Sequence, residues 1–335
     1  MYWYEDSAGK HPVVLSTRVR FARNLKHLPF PAGLDAQGRQ QVCQAAKEAF
    51  ESLVCYDFSR LSEAEKGAYV QSHLCSPAFA QSRGEGYQLW LSRDGAVSVM
   101  VNEEDHFRIQ AICAGLDPQK AFDRALETET ALRRHQELAF HPKLGFLTAC
   151  PTNLGCAMRI SAMLHLGALR LTGGIGALVR SADRLGFTLR GAFGEGSGPQ
   201  GDLYQISNKA SYQSSEQELL NHFSTVIAQI ADQEQKARQA LQKQDALGLE
   251  DRIFRSLGTL QSARRMDYAE FVGHWSNLRL GQSLGLVSLK DPALPDRLLV
   301  ELTGARLCLE NGNAQNPAVR DQLRAEKLRQ ALKEN

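Results

Sequence analysis

The 335-residue chain can bury a substantial core and is long for one domain, so two domains, or one with an appendage, are expected. Its 39 basic and 37 acidic residues leave a net charge of +2, with 43% hydrophobic and 23% charged residues; these are ordinary soluble proportions, so no global field steers the chain to nucleic acid or an acidic membrane and any positive site must be local. No basic stretch leading into an apolar core opens the sequence, and no run reaches the roughly 20 apolar residues that span a bilayer, so a cytoplasmic protein is expected, with no membrane segment and no direct nucleic-acid binding.

Residues 13–15 begin a short apolar strand, after which Ser16-Thr17-Arg18-Val19-Arg20-Phe21-Ala22-Arg23-Asn24 alternates arginine with apolar residues. In an extended chain Arg18 and Arg20 share a face about 7 Å apart. Two guanidinium forks side by side suit a polyphosphate better than a single carboxylate; a solvated amphipathic strand is the other reading of this segment alone. Residues 35–74 carry a weakly marked helical pattern and are assigned to a supporting wall. Runs at 87–91 and 96–101 then flank Arg93-Asp94-Gly95, an Asp-Gly turn of the kind that closes a hairpin.

Directly afterwards comes Asn102-Glu103-Glu104-Asp105-His106-Phe107-Arg108. Its three consecutive carboxylates fall between two alternating apolar runs, where one strand ends and the next begins. Like charges crowded there repel, so a cationic partner is expected; the alternative is a solvated acidic turn. Asp117 as cap and Pro118 in the first turn open a helix running to about His135.

The seven cysteines, at 43, 55, 75, 113, 150, 156 and 308, are odd in number and lack Cys-x-x-Cys spacing. Reduced thiols are therefore expected rather than a zinc site or a disulfide framework. Cys150 stands out. Residues 145–150 read as a strand ending there, followed by a Pro/Asn/Gly turn and a helix over about 155–165. A thiol facing a helix amino terminus would have a lowered pKa, and Arg159 in the first turn would face an anion bound there. A buried structural cysteine and a surface arginine are the alternatives.

Five glycines lie within residues 191–201, between strand-like runs. They read as a mobile loop able to close over a ligand, with Glu195 its one carboxylate, or as a flexible hairpin with no ligand. The spacing fits neither a Walker loop nor a protein-kinase glycine loop. Ser215-Glu216-Gln217-Glu218 is a capping-box pattern opening a long helix with Leu219, Phe223, Val226, Ile227 and Ile230 on one face. Residues 246–335 lack strand signals and read as a small helical domain, its last helix opened by Asn316-Pro317. The boundary is expected near 242–248, dividing residues 1–244 from 245–335.

In this order, Ser16-Thr17-Arg18-Val19-Arg20, Asn102-Glu103-Glu104-Asp105-His106, Cys150-Pro151-Thr152-Asn153-Leu154-Gly155, Arg190-Gly191 with Gly194-Glu195-Gly196-Ser197, and Gln205-Ile206-Ser207-Asn208 resemble the phosphagen kinase family. These are the ATP:guanidino phosphotransferases, and the resemblance is closest to their bacterial branch that phosphorylates arginine residues in proteins, the protein arginine kinases of McsB type. It implies an α+β fold, an antiparallel sheet flanked by helices, with a small all-helical carboxy-terminal domain. By the same resemblance Arg18, Arg20, Arg108, Arg159 and Arg190 hold the ATP phosphates, and Glu104 is the catalytic carboxylate. Glu195 is the loop glutamate that contacts the substrate guanidinium, Cys150 the active-site thiol, and Arg320-Asp321 part of a phosphoarginine-binding pocket. ATP with Mg2+, protein substrates with accessible arginines, an activator protein, Clp-type protease machinery serving bacterial protein quality control, and a homodimer are likewise implied. Where the family usually has Thr-Gly after Asn-Leu-Gly, this chain has Cys156-Ala157.

Residue chemistry agrees with that implication. A guanidinium, with a pKa above about 12, offers no lone pair until its charge is localised and a proton leaves. Two carboxylates gripping two of its nitrogens can align the third and take that proton. Glu104 and Glu195 would do this, and the arginines would stabilise the phosphoryl group in transfer. Kinases of small guanidino compounds in this family carry a helical domain before the paired-arginine strand; only 15 residues precede Ser16 here, so an open site for a protein side chain is expected. A kinase of free arginine and a catalytically weak phosphoarginine-binding adaptor are the other functions considered.

Overall fold

A computed structural model describes residues 3–5, 11–191, 200–212 and 214–334. Among these the strands are β1 (Val14–Arg23), β2 (Val54–Asp57), β3 (Gln88–Leu91), β4 (Val97–Val101), β5 (Phe107–Ala114), β6 (Phe140–His141), β7 (Gly145–Phe146), β8 (Met158–His165), β9 (Phe187–Gly191) and β10 (Leu203–Asn208). The helices are α1 (Ala36–Ala49), α2 (Glu63–Gln71), α3 (Pro77–Ala80), α4 (Pro118–His135), α5 (Gly167–Leu171), α6 (Ile175–Arg184), α7 (Glu216–Gln244), α8 (Ala246–Ser262), α9 (Tyr268–Ser283), α10 (Leu294–Glu301), α11 (Gly304–Glu310) and α12 (Pro317–Glu334). Eight strands form one sheet in the order β2-β3-β4-β5-β1-β8-β10-β9, and β6 and β7 form a separate hairpin. The chain makes two compact units, each assembled from several segments: Met1–Trp3, Ser16–Ser161 and Ser207–Thr225 in one, Tyr4–Leu15, Ala162–Ile206 and Val226–Asn335 in the other.

In the first unit β1 pairs antiparallel with β5, Arg20 opposite Gln110 and Ala22 opposite Arg108. Because side chains alternate, this register sends Val19, Phe21, Ile109 and Ala111 to one face, all fully buried. That face packs against α1 and α4, with Phe21 edge-on to Phe122 at 5.9 Å and Phe50 edge-on to Phe107 at 6.0 Å. The opposite face carries Arg18, Arg20, Arg108 and Gln110. Arg23, the third arginine of the segment, falls on the core face, where it is sandwiched on Phe146 at 3.6 Å and paired with buried Glu129 at 2.8 Å. It is a structural residue. α4 begins as expected, the Asp117 carboxylate accepting the Lys120 amide at 3.0 Å, and α7 opens with the anticipated reciprocal Ser215–Glu218 box.

Two expectations are corrected. Residues 35–74 are not helical throughout: the sheet's edge strand β2 lies within them. Residues 155–165 hold no helix; Met158–His165 is strand β8, with Met158, Ile160, Ala162 and Leu164 buried. Met, Ala, Leu and Arg are helix formers, but β8 sits between β1 and β10, and pairing with two partners distant in sequence overrides local propensity. The turn before it is incompatible with a helix start as well, since Gly155 and Ala157 have φ of +98° and +48°.

In the second unit α8 to α12 are all helical, as expected, and surround a core that includes Ile253, Phe271, Trp275, Leu307 and Leu328. Trp275 is fully buried and donates from Nε1 to the Pro295 carbonyl at 2.8 Å. Leu203, the first residue of β10, belongs to the same apolar cluster. α7 ends at Gln244, and the Asp245 carboxylate caps α8 by accepting the Gly248 amide at 2.9 Å.

Candidate active site

The polar face of the sheet in the first unit gathers positive charge. Arg18 donates from Nε to the Ser161 hydroxyl at 3.4 Å, and Arg159, two residues before Ser161 on β8, donates from Nη2 to Ser207 on β10 at 3.3 Å. Burial and the neighbouring Arg108 and Arg159 push the Arg18 guanidinium down to about 9. Burial and the Arg18, Arg108 and Arg159 charges likewise press Arg20 well below its ordinary value. The Arg20 Nε–H is buried and has no hydrogen-bond partner among the described residues. Both causes, burial first and like charge second, are relieved by a bound polyanion, whose oxygens would also satisfy that donor.

The acidic triplet answers this cluster with three different environments. Both Glu103 carboxylate oxygens accept from Arg108 Nη1, at 2.7 and 2.9 Å, and Oε1 also accepts from Ser76 Oγ at 2.5 Å. Burial works against its charge, but Arg108 and Ser76 outweigh it and hold the carboxyl below the usual range. Asp105 is buried and accepts from Asn24 Nδ2 at 2.6 Å and from the Ala149 amide at 2.8 Å, so it ties the segment leading to Cys150 to the carboxylate turn. Glu104 between them is exposed at the tip; partial burial and the charges of Asp105 and Glu103 raise its pKa, making it the most suitable proton acceptor of the three.

The turn is shaped by its ends. Asn102 has φ of +63°, a conformation asparagine tolerates better than most residues, and its amide donates to the Gly86 carbonyl at 2.7 Å. His106 accepts the Leu25 amide at Nδ1, so its Nε2–H donates to the Pro29 carbonyl at 2.8 Å and the buried ring is neutral.

Cys150 is partly exposed, with Sγ 3.0 Å from the Thr152 hydroxyl. It precedes only a three-residue 3-10 turn, Pro151–Asn153, without a side-chain cap. The expected helix amino terminus facing this thiol, and the place of Arg159 within that helix, are therefore both corrected. The segment is instead cinched by glycines: a Cβ on Gly155 would meet the Ser211 carbonyl oxygen at 2.5 Å. Arg190 is exposed on β9 in the second unit. Glu195 lies outside the described residues.

In α12, Arg320 donates to the Ala314 and Gln315 carbonyls at 3.1 and 3.0 Å, while Asp321 accepts from Arg324 at 2.9 Å. Buried Arg324, which sequence reasoning did not single out, also donates to the Leu302 and Met266 carbonyls at 3.0 and 2.7 Å. Also missed was His73, whose backbone turns through φ of +60° and whose carbonyl accepts from Gln110 at 2.7 Å. Burial and the Arg18 charge push its ring down to about 4. A lone histidine at a helix end gives no sequence signal of such placement. Among the described residues no three His, Cys, Asp or Glu side chains are grouped to hold a metal ion.

Residues 37–237 match the family model described as the catalytic carboxy-terminal domain of ATP:guanido phosphotransferases, and residues 246–335 match the protein-arginine kinase McsB carboxy-terminal domain. A protein-arginine kinase of Caldanaerobacter subterraneus subsp. tengcongensis is 38% identical over 322 residues, covering 94% of this chain and 95% of the relative. One from Halothermothrix orenii is 35% identical over 336 residues, covering 99% and 96%. Among solved structures, a lombricine kinase superposes with a TM-score of 0.61 at 23% identity, over 69% of this chain and 70% of that one, a likeness of fold. With its catalytic-domain match spanning more than half of the sequence and relatives aligned over nearly all of it, the chain belongs to the ATP:guanido phosphotransferase family.

Proposed function

We propose that this chain is an ATP-dependent protein arginine kinase, which moves the γ-phosphoryl group of ATP onto the guanidinium of arginine residues in proteins. One observation carries the site assignment: Arg18, Arg20, Arg108 and Arg159 crowd one face of a compact unit whose adjoining turn presents Glu104. The match of residues 246–335 and the names of the relatives support arginine in a protein as acceptor.

In the proposed reaction Glu104 accepts a proton from the substrate guanidinium. The freed nitrogen attacks the γ-phosphorus, a P–N bond forms, the bond to the bridging oxygen breaks, and ADP leaves with that electron pair. Arg18, Arg20, Arg108 and Arg159, with Arg190 as the fifth, hold the phosphates and stabilise charge on the equatorial oxygens. Glu195 is assigned to grip the guanidinium with Glu104, and Cys150 to stand beside it in a supporting, non-nucleophilic role. Magnesium is proposed to arrive on ATP, where it would help to neutralise phosphate charge.

Residues 1–244 are proposed as the catalytic domain and 245–335 as a domain that binds phosphoarginine, with Arg320 and Asp321 in the pocket. The pinning of Asp321 by buried Arg324 supports a preset carboxylate there. A homodimer through the helical domain, an activator protein, Clp-type protease machinery as downstream partner, and quality control in the cytoplasm complete the proposal. None of the seven cysteines is in a disulfide, and no helix among the described residues is long and apolar enough to cross a membrane.

Radiolabelled ATP offered with an unfolded basic protein and, separately, with free arginine tests the acceptor. Acid-labile label on the protein is expected. Label confined to free arginine would make this a small-guanidino kinase, and no label in either arm would leave a binding adaptor.

A further inference from the structure

The second unit contains a buried polar chain that this mechanism does not use. Arg238 on α7 is 3% exposed and donates from Nε to Glu234 at 2.8 Å, from Nη1 to the Pro12 carbonyl at 3.0 Å, and from Nη2 to Nδ1 of His165 at 3.4 Å. Fully buried His165, at the end of β8, therefore keeps its proton on Nε2, and burial beside Arg238 and Arg279 keeps the ring neutral. It donates to Ser276 Oγ on α9 at 2.8 Å, and Ser276 donates to Asp202 Oδ2 at 2.6 Å. The other Asp202 oxygen is ion-paired with Arg170. Every link has one donor and one acceptor, so the chain runs in a single direction.

Its terminus is a strained point of backbone. Asp202 has φ of +57°, a left-handed conformation that few residues other than glycine, asparagine and aspartate adopt. Its carbonyl accepts the Leu166 amide at 2.9 Å, and a Cβ on the preceding Gly201 would collide with Val272 of α9. Residues 201 and 202 are thus fixed by β8, α5 and α9 together. A fully satisfied buried polar network rigidifies the elements it joins and can select one conformation of them. What is selected here is the start of β10, the strand that neighbours β9 and its Arg190.

We infer that Ser276 and Asp202 are positioning residues for the kinase reaction: by fixing where β10 begins, they set the place of Arg190 on the adjacent strand. The inference rests on the proposed role of Arg190 at the ATP phosphates.

The test is a double-mutant cycle in the full chain, with ATP varied at saturating protein substrate and melting followed in parallel. Ser276→Ala is expected to raise KM for ATP about tenfold, within the roughly 10²-fold that a 1 Å misplacement can produce, and to lower kcat as well, because Arg190 is also assigned to charge that develops on the transferred phosphoryl group. Ser276→Thr, which keeps the hydroxyl, should restore KM. In an Arg190→Ala background Ser276→Ala should raise KM no further, a non-additivity that general loosening of the fold would not produce. If Ser276→Ala melts below the assay temperature, Asp202→Asn takes its place in the same cycle, since asparagine tolerates the left-handed backbone and only the charge is removed. An unchanged KM, or an equal increase in both backgrounds, overturns the inference. A kinetically silent Arg190→Ala overturns the role of Arg190 itself, a result the cycle reads separately.

Discussion

Three adjacent carboxylates of one type of chemistry have three fates, decided by a few ångströms of surroundings. Glu103 is neutralised by Arg108, Asp105 is consumed in holding Asn24 and Ala149, and Glu104 is left raised and accessible. Its sign of shift makes a kinetic prediction. A carboxylate accepts a proton only when ionised, so kcat/KM should fall as pH drops through the raised Glu104 pKa, with a midpoint above the ordinary glutamate value of about 4.3. Glu104→Gln should cost roughly 10²- to 10⁴-fold and erase that acid limb; a variant that keeps both the rate and the limb would transfer the base role elsewhere. A second residue-scale prediction concerns stability. Ala157 is 3% exposed at φ of +48°, in the position where the family usually has glycine. The left-handed conformation costs alanine about 1–2 kcal/mol, partly offset by the 0.4–1 kcal/mol or so that glycine loses through the unfolded chain. Ala157→Gly should therefore raise stability by roughly 0.5–1 kcal/mol in urea melts.

At the scale of elements, what was legible followed local chemistry. The Asp117-Pro118 start of α4, the Ser215–Glu218 box of α7 and the alternation that puts Arg18 and Arg20 on one face all depend on residues within a few positions of each other. β8 was not legible, because its strand character comes from β1 and β10, more than a hundred and about forty residues away, whereas its own composition favours a helix. The chemistry expected of Cys150 changes with it, since a three-residue turn does not supply the helix dipole that would activate the thiol. A supporting role follows instead. Cys150→Ser should lower kcat by no more than roughly tenfold, well short of the 10²-fold or greater loss expected for a missing general base. Steady-state kinetics on freshly reduced enzyme decide it; a loss matching that of Glu104→Gln would mean that the thiol touches the reacting atoms more directly than this geometry supports.

For the whole molecule, a net charge of +2 conceals a local concentration of guanidinia that the fold tolerates rather than needs. The composition could exclude a global field, but the register that brings Arg18 and Arg20 alongside Arg108 becomes visible only when β1 is paired with β5. Such a cluster should trade stability for function. Arg20→Met keeps the length and apolar stem of the side chain while removing a guanidinium whose charge is opposed by burial and by three like charges, so the nucleotide-free fold should become more stable. The same change should lower turnover roughly 10²-fold, as loss of a single electrostatic donor does elsewhere. ATP reverses the ranking. At a hundredfold excess over Kd the nucleotide adds about 2.7 kcal/mol to the wild type, and a variant whose Kd has risen about 10²-fold gains only about 0.4 kcal/mol at that concentration. Thermal melts should therefore cross: Arg20→Met above wild type without ATP, and the margin lost or inverted with it. A variant that melts lower without nucleotide would show that Arg20 serves the fold, and the phosphate cradle would then have to be drawn around Arg18, Arg108 and Arg159 alone.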